Sequence, residues 1–377
     1  MYPIRVLHIL NAMNRGGAES MVMNLYRAVD RSIIQFDFIV HSEKKGEFND
    51  EIEQLGGKIY VCPKFKGHNI FQYKLWWETF FREHKEYRIL HSHIRSCASL
   101  YIPVAKKHGL KTIIHSHSTS NGKGFKSLAK KILQYPLRYQ ADYLVACSKE
   151  AGEWLFGKAY LRRGKYMIIP NAVDVKKFSL NENVRNDYRK QLGVEGKIVF
   201  GNVGRFHESK NHMFLLDVFS EIHRRNGNTV LMLVGDGYLR SVIENRIHQL
   251  GLDNSVILTG TRSDVPNLMQ AMDVFLFPSL WEGLPVTLVE AQAAGLPCLV
   301  SDRITKDADI SDLIHRLPLG DVSKWADLAL SPLVRHDVSK EIKASGFDIK
   351  DSAKSLTTFY QKIYEGNENG EVYHKVR

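Results

Sequence analysis

A chain of 377 residues exceeds the size at which one hydrophobic core keeps growing, and 44% hydrophobic with 25% charged residues is enough to fill two ordinary globular domains. Its four cysteines, Cys62, Cys97, Cys147 and Cys298, stand far apart with no C-x-x-C pair, which leaves no disulfide framework or zinc motif and points to a reducing, cytoplasmic setting. A formal charge of +11 favours anionic partners without choosing among nucleotide phosphates, anionic lipid and nucleic acid.

The N-terminus has no apolar leader-like run, and no stretch of about 18 uninterrupted apolar residues occurs, so no spanning helix is expected. Short β-rich runs alternate with helical patterns: "IRVLHIL", a helix from about Ala18 to Ala28, "FDFIVHS", a helix near Asp50, then "KIYVCP", "RILHSH", "KTIIHSH" and "ADYLVACS". After "MIIPNAVDVKKF" the chain turns polar through residues 179–196. "KIVFGNVGRF", "TVLMLVGDG", "SVILTG", "DVFLFPS" and "PCLVS" form a second series. Two α/β, doubly wound halves follow, residues 1–174 and 175–350, with ligands expected beyond the strand C-termini. The segment from Asp351 spaces Leu356, Phe359, Tyr360 and Ile363 along one helical face that must pack on something, and the last polar residues are expected to fray.

The most informative stretch is "SLWEGLPVTLVEAQAAGLPCLVS", residues 279–301. Pro285 suits a first helical turn and Gly295 a helix stop, which sets Glu282 in a strand-end loop and Glu290 inside a helix. The amides of Gly283, Leu284 and Val286 lie at that helix N-terminus, where unpaired donors and the dipole favour phosphate. An isolated pair of glutamates is explained by a cap and a solvated face; beside an anion site, the same pair suits a ligand carrying both hydroxyls and phosphate, such as a nucleotide sugar. "VGRFHESKN" adds Arg205 and Lys210 at another strand end, two fixed cations able to neutralise a diphosphate leaving group. In "NRGGAES", Gly16 and Gly17 let backbone approach a ligand while opening a helix.

His91, His93, His115 and His117 form two H-S-H pairs on strand ends, where alternate residues share a face. A metal site is one use of such a cluster, but no carboxylate ligand stands near in sequence. The preferred expectation has no metal and has His117 donating a hydrogen bond to a sugar hydroxyl. Residues 121–140, "NGKGFKSLAKKILQYPLRYQ", carry Lys123, Lys126, Lys130, Lys131 and Arg138 with no acid, interleaved with Phe125, Leu128, Ile132 and Leu133. That pattern suits either an interfacial membrane helix or a half-buried helix with a basic face.

Taken together, "RGGAE", "TIIHSH", "ACS", "IIPNAVD", "VGRFHESKN", "VGDG" and "PSLWEGLPVTLVEAQAAGLP" resemble the retaining glycosyltransferases of family 4, over nearly the whole chain. The longer pattern around Glu282 is similar to bacterial enzymes of capsular and exopolysaccharide assembly. The resemblance implies a GT-B fold, two Rossmann-like domains facing a central cleft, with the terminal helix (about 351–377) returning to the N-terminal, acceptor-side domain. It implies that Arg205 and Lys210 bind the donor diphosphate, that Glu282 and His117 touch the transferred sugar and that Glu290 binds the ribose, with the Gly16–Gly17 loop near the phosphates and acceptor. Two positions depart from the family pattern: Pro285 stands where many relatives have glycine, removing one N–H donor, and Ala172 replaces a linker glycine.

The expected activity is transfer of a hexose from a nucleotide-diphosphate donor, a UDP-sugar, to a hydroxyl of a lipid-linked glycan, with retention and without a cofactor or divalent metal. The basic balance then serves phosphates and an anionic inner membrane face, not nucleic acid. Two rivals remain: a nicotinamide oxidoreductase, which would want a G-x-G-x-x-G where "NAMNRGGAE" stands, and a non-catalytic nucleotide- or lipid-binding scaffold.

Overall fold

The computed structural model describes residues 2–117, 125–158 and 166–366, the side chains of 125–129 excepted. It divides into two compact units, residues up to Ala172 together with those from Ile349 on, and Val173–Asp348.

The first unit holds a parallel sheet of β1 (Ile4–Leu10), β2 (Ile34–Val40), β3 (Ile59–Val61), β4 (Ile89–Ser92), β5 (Lys111–Ser116), β6 (Tyr143–Ala146) and β7 (Tyr166–Ile168), in the order β3-β2-β1-β4-β5-β6-β7. Every residue of β2 is buried, as expected of a parallel strand covered on both faces. Along β1, Val6 and Leu10 face one core with Tyr26, Ile89, Ile113 and Tyr360, while Leu7 and Ile9 face another with Trp77, Leu90, Tyr101 and Ile114. The helix Ile349–Glu365 belongs to this unit, and the spacing of Leu356, Phe359, Tyr360 and Ile363 has its packing reason: all four are buried in the first of these cores.

The second unit carries β8 (Ile198–Val203), β9 (Thr229–Val234), β10 (Val256–Gly260), β11 (Val274–Phe277), β12 (Cys298–Ser301) and β13 (Ile314–Leu317), again all parallel, in the order β10-β9-β8-β11-β12-β13. The strand order reverses between β1 and β4 in one sheet and between β8 and β11 in the other. Ligands of open α/β sheets bind at such reversals, beyond the strand C-termini.

The polar stretch 179–196 contains a helix, Glu182–Gln191, capped by Asn181, which accepts from Val184 N at 3.1 Å. It has no buried residue, so hydrophobic periodicity is blind to it. Polar contacts hold it: Arg185 donates to the carbonyls of Gln270 and Met272 at 2.8 Å, and Arg189 pairs with Asp273 at 3.1 Å. The edge strands β7 and β13 were likewise not marked by the sequence pattern, being three or four residues long and, in β13, interrupted by His315 and Arg316.

In the basic stretch 121–140, helices run over Phe125–Gln134 and Leu137–Gln140 with Pro136 capping the second. Residues 121–124, and the side chains of Phe125, Lys126 and Leu128, lie outside what is described, as does the polar end after Gly366. Among the described residues no helix is long and apolar enough to cross a membrane.

Candidate active site

In the second unit, Gly204 follows β8 and donates to Val234 O at 2.9 Å. Opposite it, Gly235 has φ +139°, and a Cβ there would lie 2.0 Å from Gly204 O, so the loops after β8 and β9 approach this closely only because residue 235 is glycine. Arg205 comes next, exposed and without an ion pair among the described residues. Residues Glu208–Lys210 form a 3-10 turn, closed by Asn211 in the left-handed region at φ 56°. Two bonds tie this turn to the loop after β11: Leu280 N donates to Ser209 O at 2.7 Å, and the Asn211 amide donates to Pro278 O at 3.2 Å.

The stitched loops bring together two residues far apart in sequence. Lys210 Nζ lies 2.8 Å from Glu282 Oε1 and 4.7 Å over the Phe277 ring, with the two side chains 13% and 15% exposed. At 2.8 Å the ammonium and carboxylate form a close ion pair, which uses at most one of the three Lys210 N–H donors. Lys210 therefore keeps N–H donors for another acceptor.

The helix Val286–Ala293 starts one residue later than the proline rule suggests, with Pro285 as its N-cap. The amides of Gly283, Leu284 and Val286 make no backbone hydrogen bond among the described residues, and Gly283 is exposed. Glu290, on the second turn, is half-buried, and its side chain forms no hydrogen bond or ion pair among the described residues. Burial pushes its carboxyl up to about 7, against the weaker opposing pull of the Lys177 charge.

In the first unit, Gly16 caps the helix Gly17–Ala28. A Cβ on Gly16 would lie 2.3 Å from Glu19 Oε2, so Glu19 folds back over the helix start where an anion was expected. Burial raises its pKa, with its own backbone N–H opposing.

The two H-S-H pairs converge, and a fifth histidine joins them. His8 sits beside His91 in the β1–β4 register. His8 Nδ1 lies 3.0 Å from His93 Nε2, and His93 Nδ1 lies 2.7 Å from His117 Nε2. A second line runs from Tyr360 OH to His91 Nδ1 at 2.6 Å and from His91 Nε2 to His115 Nδ1 at 3.2 Å. Burial holds all five well below the ordinary histidine value, His117 at about 3 with the Arg95 charge adding to the effect. Two triads, His8–His91–His93 and His93–His115–His117, place ligand nitrogens within 4.8 Å of one another, so the cluster is compact enough for a cation as well as for N–H···N bonding.

Sequence reasoning missed His8, Tyr360 and Lys177. The one available signal was His8 on the Val6–Leu10 face of β1; its meeting with His93 depends on β1 pairing with β4, which periodicity does not encode.

Each sheet has the Rossmann strand order, with a lysine–glutamate pair past the reversal of one and a histidine cluster at the reversal of the other. Residues 15–177 match the model described as Glycosyltransferase Family 4, and residues 184–310 match Glycosyl transferases group 1. The protein EpsF of Bacillus subtilis (strain 168) is 35% identical over 377 residues, spanning 97% of this chain and 98% of its own. The UDP-Gal:alpha-D-GlcNAc-diphosphoundecaprenol alpha-1,3-galactosyltransferase of Escherichia coli is 31% identical, spanning 71% of this chain and 72% of its own. Anabaena HepE, solved with UDP, superposes with a TM-score of 0.71 at 19% identity over 97% of this chain and all of its own. The chain belongs to glycosyltransferase family 4 and resembles bacterial capsular and exopolysaccharide enzymes such as CapH of Staphylococcus aureus.

Proposed function

We propose that this enzyme moves a hexose from a UDP-sugar to a hydroxyl of a lipid-linked glycan in cell-surface polysaccharide assembly, with retention and without a divalent metal. The observation that carries this is the Lys210–Glu282 pair, held at 2.8 Å, with Arg205 on the same loop as Lys210, exposed and without an ion pair among the described residues. The names of relatives support the donor and acceptor classes, one a UDP-Gal transferase acting on a diphosphoundecaprenol-linked sugar.

Lys210 and Arg205 take the diphosphate, joined by the amides of Gly283, Leu284 and Val286. Glu290 accepts from ribose hydroxyls, Glu282 contacts the sugar, His117 hydrogen-bonds a sugar oxygen, and the Gly16–Gly17 loop meets phosphate and acceptor. The C1–O bond to the β-phosphate breaks with its electron pair leaving on UDP. The acceptor oxygen bonds C1 on the same face, and its proton passes to the departing phosphate oxygen. Fixed cations stabilise that charge without reorganising, the contribution a metal makes elsewhere. The enzyme works at the inner membrane face, contacting anionic lipid through residues 121–140.

The test is UDP release from UDP-glucose, UDP-galactose and UDP-N-acetylglucosamine with a polyprenyl-diphosphate sugar acceptor in excess EDTA, with the product's anomeric configuration read by NMR. Retained transfer is expected, with Lys210→Ala slower by roughly a hundredfold, the scale of one lost electrostatic contact. Loss in EDTA with rescue by manganese or magnesium overturns the charge assignment, and an inverted product overturns retention.

A further inference from the structure

Each neutral imidazole carries one N–H, so a line of imidazoles bonded N–H···N must be polar: every member donates one way and accepts from the other. The line His8–His93–His117 contains two such bonds and three N–H groups. The third proton falls at one end, either on His8 Nε2 or on His117 Nδ1, both of them buried atoms with no partner among the described residues. The ends are not equivalent. His8 is 1% exposed, with its ring 4.1 Å from that of Phe36 and 5.8 Å from that of Phe38. A buried donor needs an acceptor at either end, since orphaned buried N–H groups are rarer than under-used acceptors, and the aromatic rings packed on His8 offer none. His117 stands just past the C-terminal end of β5, where a ligand oxygen is expected.

We propose that His8 and His93 are positioning residues that order the proton of His117 onto Nδ1, so that His117 meets the substrate as a hydrogen-bond donor. This rests on the proposal that His117 binds the transferred sugar. The direction runs from His8 Nδ1–H to His93 Nε2, then from His93 Nδ1–H to His117 Nε2, leaving His117 Nδ1–H without an acceptor among the described residues. The bond made by one ring nitrogen thus fixes what the other presents. His115 stacks on His117 at 4.0 Å and belongs to the separate Tyr360–His91–His115 line, so the order at His117 Nε2 comes through His93. The metal-compact geometry of the triads is then that of hydrogen-bonded neutral rings.

The experiment is long-range proton–nitrogen correlation NMR on enzyme with nitrogen-15 histidine, which reads the tautomer of each ring directly and needs no variant. His117 protonated on Nδ1 is expected. In His93→Phe, His117 should move to the Nε2–H form, with kcat lower by about tenfold, the scale of one neutral hydrogen bond, and donor KM little changed. His93→Gln, whose amide can donate to His117 Nε2, should restore much of both. Wild-type His117 protonated on Nε2, a tautomer unmoved by His93→Phe, or stoichiometric zinc on the histidines would overturn the proposal. His117→Ala with full transfer activity would instead overturn the sugar-binding role, leaving the proton order standing.

Discussion

Glu290 is a carboxylate in an environment that opposes its charge, half-buried and without a side-chain partner among the described residues. Its folded-state value of about 7 stands above the ordinary 4.5, so the fold binds this proton more tightly than the unfolded chain does. Stability from that proton is complete below about pH 4.5 and is lost as pH rises through about 7. The difference of 7 − 4.5 corresponds to at most about 3 kcal/mol at pH 8. Glu290→Gln should therefore raise Tm at pH 8 and change it little at pH 4.5, while weakening donor binding by about 1.5–3 kcal/mol through loss of charged hydrogen bonds. Thermal melts at the two pH values with donor titrations check this. An equal Tm change at both would show that the carboxyl is not held up by burial.

Elements were legible where packing writes itself into composition. The covered strand Ile34–Val40 and the striped helix Ile349–Glu365 could be read because each face has one environment. The helix Glu182–Gln191 could not, because Arg185 and Arg189 hold it to Asp273 across more than 80 intervening residues. For the same reason Glu282 and Lys210 were nameable one by one from their loops, but their 2.8 Å contact follows from β8 lying beside β11. The basic stretch is sharper in structure than in sequence: Ile132, Tyr135 and Tyr139 are 66%, 58% and 59% exposed, with Lys130 and Lys131 also exposed. Exposed apolar and aromatic groups among cations fit a membrane surface better than a core. Co-sedimentation with phosphatidylserine vesicles should be strong at low salt. It should weaken on Lys130→Glu with Lys131→Glu, by at least about 1 kcal/mol per charge removed, and on Ile132→Glu. No binding at low salt would end the docking proposal.

At the scale of the whole molecule the second unit is an insertion closed on itself: Val173 N donates to Phe347 O at 2.9 Å where the chain enters and leaves. Each unit has its own pair of cores, on the two faces of its own sheet. The groups assigned to the nucleotide, Arg205, Lys210, the Gly283–Val286 amides and Glu290, all lie in the second. A ligand bound only by the native state stabilises whatever must unfold to release it, by about 2.7 kcal/mol at a hundred times Kd. UDP without sugar should therefore slow hydrogen exchange of the most protected amides of β8, β9 and β11 by about a hundredfold, while those of β1, β2 and β4 keep their rates. In the first unit only amides at Gly16 and Gly17 should respond, through local contact. Equal slowing in both sheets would show that the two units open as one. Slowing confined to the first would place the nucleotide away from Lys210, and the assignment of the diphosphate site would fall with it.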